Sequence, residues 1–139
     1  MEKNLIRFGV SMNQKLLERF NTLIEKKNYK NRSEAIRDLV RKELINTEWE
    51  TNNIIAGAIT YTYDHHQHHI SDYLMHTQHD FHEIIISTQH VHLDHDNCLE
   101  IVAVKGNAKR VKKLSELIIS IKGVKHGILS MTTTGKKIP

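Results

Sequence analysis

A chain of 139 residues is long enough for one ordinary domain or two small ones, and too short to bury a large core without association. Its 20 Lys and Arg against 16 Asp and Glu make it mildly basic, compatible with nucleic acid without establishing it. A single cysteine excludes an internal disulfide and points to a reduced, cytoplasmic setting; with no membrane-length apolar run and no signal peptide at the start, no membrane association is expected.

Along the chain, "LIRFGVSM" alternates, with Ile6, Phe8, Val10 and Met12 on one face and Arg7, Gly9 and Ser11 on the other, which predicts a short strand. "QKLLERFNTLIEKKN" sets Leu16, Leu17, Phe20, Leu23 and Ile24 at helical spacing. A second helix follows in "NRSEAIRDLVRKELI", reaching toward Trp49. Asn31 and Glu34 stand at capping-box spacing, and Ala35, Ile36, Leu39, Val40 and Leu44 form its stripe. A lone strand has nothing to pair with inside this segment, so it should pair with its copy from another subunit.

Polar "ETNN" reads as a join, giving a first unit over 1–50 and a second over 51–139. In the second unit "IIAGAITYTY" is a strand, "HHQHH" a polar loop, and a helix begins at about Ser71. "IIISTQHVHL" and "CLEIVAVKG" form a hairpin across "DHDN". "NAKRVKKLSELIISIKG" is a helix with Val111, Leu114, Leu117, Ile118 and Ile121 inward and Asn107 as its cap, and "VKHGILSMTT" is the last strand. The order βαββαβ is the ferredoxin-like arrangement, so the fold class is α+β: a βαα unit followed by a ferredoxin-like one.

Histidine is the compositional anomaly: 11 are present, ten of them between His65 and His95. His90 and His92, two apart on a strand, project from one face, while Val91 and Leu93 are expected to point to the core. The turn returns Cys98 beside them, where a metal would hold it as thiolate. His79, next to Gln78 on the preceding helix, is the natural fourth donor, from the same subunit or a partner. The bland alternative is a solvated edge strand and a small core cysteine. Two imidazoles, a thiol and further histidines nearby favour metal. Glu100 reads better as a carboxylate orienting a histidine ligand than as the general base of a zinc hydrolase. His65, His66, His68 and His69 suit weak extra metal at no fixed geometry; His76, His82, His95 and His126 read as surface or supporting groups.

"NRSEAIRDLVR", "TQHDFH", "HVHLDHDNCLEIVAVKG" and "GVKHG", in this order and spacing, resemble the nickel-responsive transcriptional regulators (NikR) over nearly the whole chain. The resemblance implies a ribbon-helix-helix DNA-binding domain followed by an ACT-type domain that binds metal and assembles a homotetramer, a dimer of dimers. It implies one square-planar Ni²⁺ per subunit, held by His90, His92 and Cys98 and by His79 from a neighbour, so that the site forms only on correct assembly. It implies that Arg7, Gly9 and Ser11 face the major groove of double-stranded operator DNA, with Arg7 the base reader. Gly9 stands where a threonine or serine is expected. Arg32 and Ser33, at the start of the second helix, suit a phosphate. Glu34 and Asp38, spaced i, i+4, match a second, potassium-like cation position. The expected function is nickel-dependent transcription regulation, repressing nickel uptake genes, with no enzymatic activity. A His-rich storage or delivery protein without sequence-specific DNA binding is the alternative.

Overall fold

A computed structural model describes residues 4–139, which divide into two compact units between Arg41 and Lys42. In the first unit, residues 5–13 form no hydrogen-bonded element. The predicted strand has no partner among the described residues, and Ile6, Phe8 and Val10 stand exposed. Helix α1 (Gln14–Lys26) starts where the Asn13 side chain accepts from Lys15 N at 2.8 Å. It ends at Asn28, in the left-handed region at φ 56, with Tyr29 N donating to Ile24 O at 3.1 Å. Helix α2 (Arg32–Glu50) opens with Asn31 Oδ1 accepting from Glu34 N at 2.9 Å, one half of the expected capping box.

The stripes of both helices stay largely uncovered within one chain. α1 buries no residue, and Leu16, Leu39, Val40 and Leu44 are exposed. Elsewhere in the first unit, Phe8, Val10, Leu17, Phe20 and Ile36 line an open groove of about 900 Å³. An apolar groove of that size, flanked by an unpaired extended segment, is a surface open to a partner.

In the second unit, strands β1 (Ile54–Asp64), β2 (Ile85–His92), β3 (Asn97–Asn107) and β4 (Val124–Met131) form one antiparallel sheet in the order β2-β3-β1-β4. With α3 (Ile70–Asp80) and α4 (Ala108–Ile119) this is the expected βαββαβ arrangement. The core joins Ile55, Ile59, Val102 and Val104 of the sheet to Ile70 and Leu74 of α3 and Val111, Leu114 and Ile118 of α4. Leu117, expected inward, is exposed; it lies one position off the face carried by Leu114 and Ile118. The end of α2 belongs to this unit: Trp49 is buried, its Nε1 donating to Thr132 O at 2.9 Å.

Two local expectations fail. Asn107 makes no side-chain cap for α4; Asn52 does so from across the sheet end, its Oδ1 accepting from Lys109 N at 2.9 Å. Between α3 and β2 a short 3₁₀ turn, His82–Ile84, interrupts the chain, and it sits over Gly106. A Cβ at that glycine would lie 2.4 Å from Ile84 Cγ2, so only glycine lets the turn pack there.

Candidate metal centre

The β2–β3 pairing aligns His92 with Cys98 and His90 with Glu100; the β1–β3 pairing aligns Tyr63 with Cys98 and Tyr61 with Glu100. Cross-strand partners share a face, so these six side chains occupy one patch on the helix-covered side of the sheet. The expectation for the intervening residues is thereby reversed. Leu93 is exposed and Val91 only half-buried, because they lie on the face that no helix of this chain covers.

His90, His92 and Cys98 each offer a donor atom, all within 4.8 Å of one another. Cys98 Sγ lies 3.4 Å from His92 Nδ1, and the His90 and His92 rings stand nearly perpendicular with centroids 4.8 Å apart. The thiol is fully buried. Burial, followed by the negative charges of Glu100, Asp94 and Asp64, pushes its pKa up, so without a cation the cysteine keeps its proton. A divalent cation among the same donors would reverse that balance, since its charge stabilises the thiolate and the carboxylates stabilise the cation. Two imidazoles and a soft sulfur fit a borderline ion such as nickel or zinc better than a hard, oxygen-seeking one.

The donors are held by a second layer of contacts. Tyr63 Oη lies 3.2 Å from His90 Nδ1, and Glu100 Oε1 lies 3.6 Å from the same nitrogen. The other Glu100 oxygen accepts from Tyr61 Oη. Gln78 Nε2 donates to Tyr61 Oη at 2.9 Å, and Gln78 Oε1 accepts from Thr88 Oγ1 at 3.1 Å. Glu100 is thus engaged with Tyr61 on one oxygen and close to His90 on the other, which suits an orienting carboxylate and not a free general base. Tyr61 and Tyr63 escaped the sequence reading. The alternation in "TYTY" was the available signal, since it puts both rings on the face that receives Cys98.

His79 is exposed on α3, its ring 5.8 Å from that of His82, and it is not among the three clustered donors of its own chain. His65, read as part of a loose loop, instead places Nδ1 3.5 Å from Cys98 Sγ. Arg110 braces the end of α3: Nη2 donates to Asp80 O at 2.8 Å, Nε donates to Glu83 Oε1 at 2.7 Å, and the guanidinium lies 3.8 Å over the Phe81 ring.

In the first unit Arg7, Gly9 and Ser11 are exposed, as are Arg32 and Ser33 at the start of α2. Arg32 Nε donates to Asn21 Oδ1 at 3.0 Å, which fixes its guanidinium beside that helix end. A Cβ at Gly9 would meet nothing within 4 Å. Glu34 is half-buried, and Asp38 accepts from Tyr29 Oη. Among the described residues no helix is long and apolar enough to cross a membrane.

Comparison with known proteins gives two family matches. Residues 56–132 match the NikR C terminal nickel binding domain, and residues 6–47 match the ribbon-helix-helix protein, copG family. A protein of Syntrophus aciditrophicus (strain SB) is 56% identical over 133 residues, covering 96% of this chain and 97% of its own length. One from Desulfovibrio desulfuricans is 50% identical, covering 97% of this chain and 98% of its own. One from Geobacter sulfurreducens is 53% identical, with 96% of each chain covered. All three carry the name nickel-responsive regulator.

Proposed function

The chain belongs to the family of nickel-responsive regulators, and from that membership we propose that it is a cytoplasmic, nickel-dependent DNA-binding transcriptional regulator that represses nickel uptake genes. The observation that carries the proposal is the convergence of His90, His92 and buried Cys98 on one sheet face. Residues 1–50 carry the DNA-binding function, although the end of α2 around Trp49 packs into the core of the second unit, and 51–139 are the ACT-like unit that takes nickel and assembles four subunits as a dimer of dimers. One Ni²⁺ per subunit would be held by His90, His92 and Cys98, with His79 supplied by a neighbouring subunit.

Bound nickel supplies a link between subunits whose strength depends on their arrangement, which is what an allosteric signal requires. The chain's own residues prepare for it. Tyr63 and Glu100 hold the His90 ring, and burial keeps Cys98 shielded from solvent until a cation displaces its proton. Gln78, hydrogen-bonded to Tyr61 and Thr88, ties the helix that presents His79 to the sheet that carries the other donors.

At the other end, two copies of residues 5–12 pair as a ribbon for the major groove of operator DNA. Arg7 reads a base, Ser11 adds a polar contact, and Arg32 and Ser33 meet phosphate. Gly9 offers no side-chain hydrogen bond, so the operator is read with one contact fewer than a threonine would give. Glu34 and Asp38 form the candidate second cation position.

The test is a gel-shift titration over promoter fragments with and without stoichiometric Ni²⁺. Tightened binding to a subset of fragments is expected, and it should disappear in Cys98→Ala while nonspecific binding persists. If nickel changes affinity for no fragment, the regulatory reading fails; if the response survives in Cys98→Ala, the hairpin is not the sensor.

A further inference from the structure

The "HHQHH" loop is not one undivided chelator. His65 turns toward Cys98, whereas the His68 and His69 rings lie tilted against each other with centroids 3.6 Å apart and His69 pairs with Asp72 at 3.5 Å. His66 goes elsewhere. Its Nε2 lies 3.2 Å from Asp96 Oδ1 and 3.2 Å from His95 O, in the β2–β3 turn. His95 Nδ1 lies 3.0 Å from the same Asp96 oxygen. The donor atoms of His66, His95 and Asp96 all fall within 4.8 Å of one another.

We propose that His66, His95 and Asp96 form a second divalent transition-metal site, separate from the one built on Cys98. The backbone on both sides is fixed before any ion arrives. His65 N donates to Asp96 O at 3.2 Å, joining loop to turn, and His66 N donates to Asp64 Oδ1 at 2.9 Å. The turn is closed by Asp94, whose Oδ1 accepts from the backbone N–H of Asp96 and of Asn97, both at 2.8 Å. Donors from two segments far apart in sequence therefore meet with little ordering left to do.

Without metal, two ring nitrogens crowd a single carboxylate oxygen, and each needs its proton on the inward nitrogen to be satisfied there. A cation replaces both protons at once and gives Asp96 a stronger partner. The donor set is two imidazoles and a carboxylate, without sulfur, which suits nickel or zinc. All three residues are exposed, so water completes the shell and the site binds more weakly than the buried one that includes a thiolate. Its occupation would clip the loop after β1 to the hairpin turn, beside the His65 that touches Cys98.

Ni²⁺ alone, titrated into the full chain by equilibrium dialysis, tests this. The wild type should take up a second, weaker equivalent per chain after the first. The double variant His66→Gln, His95→Gln should lose only the weaker equivalent and keep the sulfur-to-nickel absorption of the inner site. Cys98→Ala should retain the weaker equivalent, which separates this proposal from the inner-site reading: failure of the inner site alters only the tighter step. Saturation of the wild type at one equivalent would overturn the proposal. So would survival of the second equivalent in the double variant, or its loss along with the first in Cys98→Ala.

Discussion

Cys98 is the residue whose chemistry decides how strongly metal loading depends on pH. Its thiol is pushed above its ordinary range, chiefly by burial. Tyr63 beside it is pushed up to about 12, by burial first and then by the charges of Glu100 and Cys98. Both groups are raised, so the folded, metal-free chain holds these protons more tightly than the unfolded chain does. The stability this gives is complete below the ordinary thiol range and is lost as pH climbs through that range toward the folded values. Metal reverses the preference at Cys98, because only the thiolate ligates. Loading nickel near neutral pH should therefore release a proton from Cys98, and affinity should fall by about tenfold per pH unit of acidification for each proton displaced. Calorimetric titration in two buffers of different ionisation enthalpy measures it, and a buffer-independent heat would remove Cys98 from the ligand set.

Among the connections between elements, Asn52 carries two jobs that no periodicity announces. It ends α2 in the left-handed region at φ 55, with Asn53 N donating to Glu48 O at 2.9 Å, and its side chain caps α4 through Lys109 N. Asn52→Ala loses both roles, at about 1 kcal/mol or more for the backbone and ~1 kcal/mol for the cap. Asn52→Gly keeps the backbone freedom and should cost about half as much. Asn107→Ala should be nearly neutral, since that side chain caps nothing. Chemical denaturation of the three variants checks the order, and a larger loss at Asn107 would reverse the assignment. Helices and strands were legible where apolar spacing was regular, as in α4 with Val111, Leu114 and Ile118, and so was the hairpin that joins His90, His92 and Cys98. The cap from Asn52, the 3₁₀ turn on Gly106 and the contact of His65 with Cys98 were not, because each depends on residues brought together by the sheet. The face assignment of Val91 and Leu93 failed for a related reason: alternation gives parity, and only packing says which parity faces the helices.

At the scale of the whole molecule, each unit leaves apolar surface without a cover in one chain. In the first, Ile6, Phe8 and Val10 are exposed on a segment with no strand partner among the described residues; in the second, Ile86 and Ile128 are exposed on the sheet and Leu93 just beyond β2. Exposed side chains of this size on a short chain are the mark of surfaces completed by other copies. If the two units do separate work, damage to the first assembly should spare the metal. Val10→Glu puts a charge on the apolar face of residues 5–12, where two copies would carry it close together, and it lies in the unit that contributes none of the metal donors. Operator binding should be lost, falling toward the nonspecific level, while the nickel content per chain and the sulfur-to-nickel absorption stay at wild-type values. Gel shift and spectroscopy on one preparation give both readings. Loss of the nickel signal together with DNA binding would mean that pairing of the N-terminal segments is needed to build the metal centre, and the division of labour between the units would have to be abandoned.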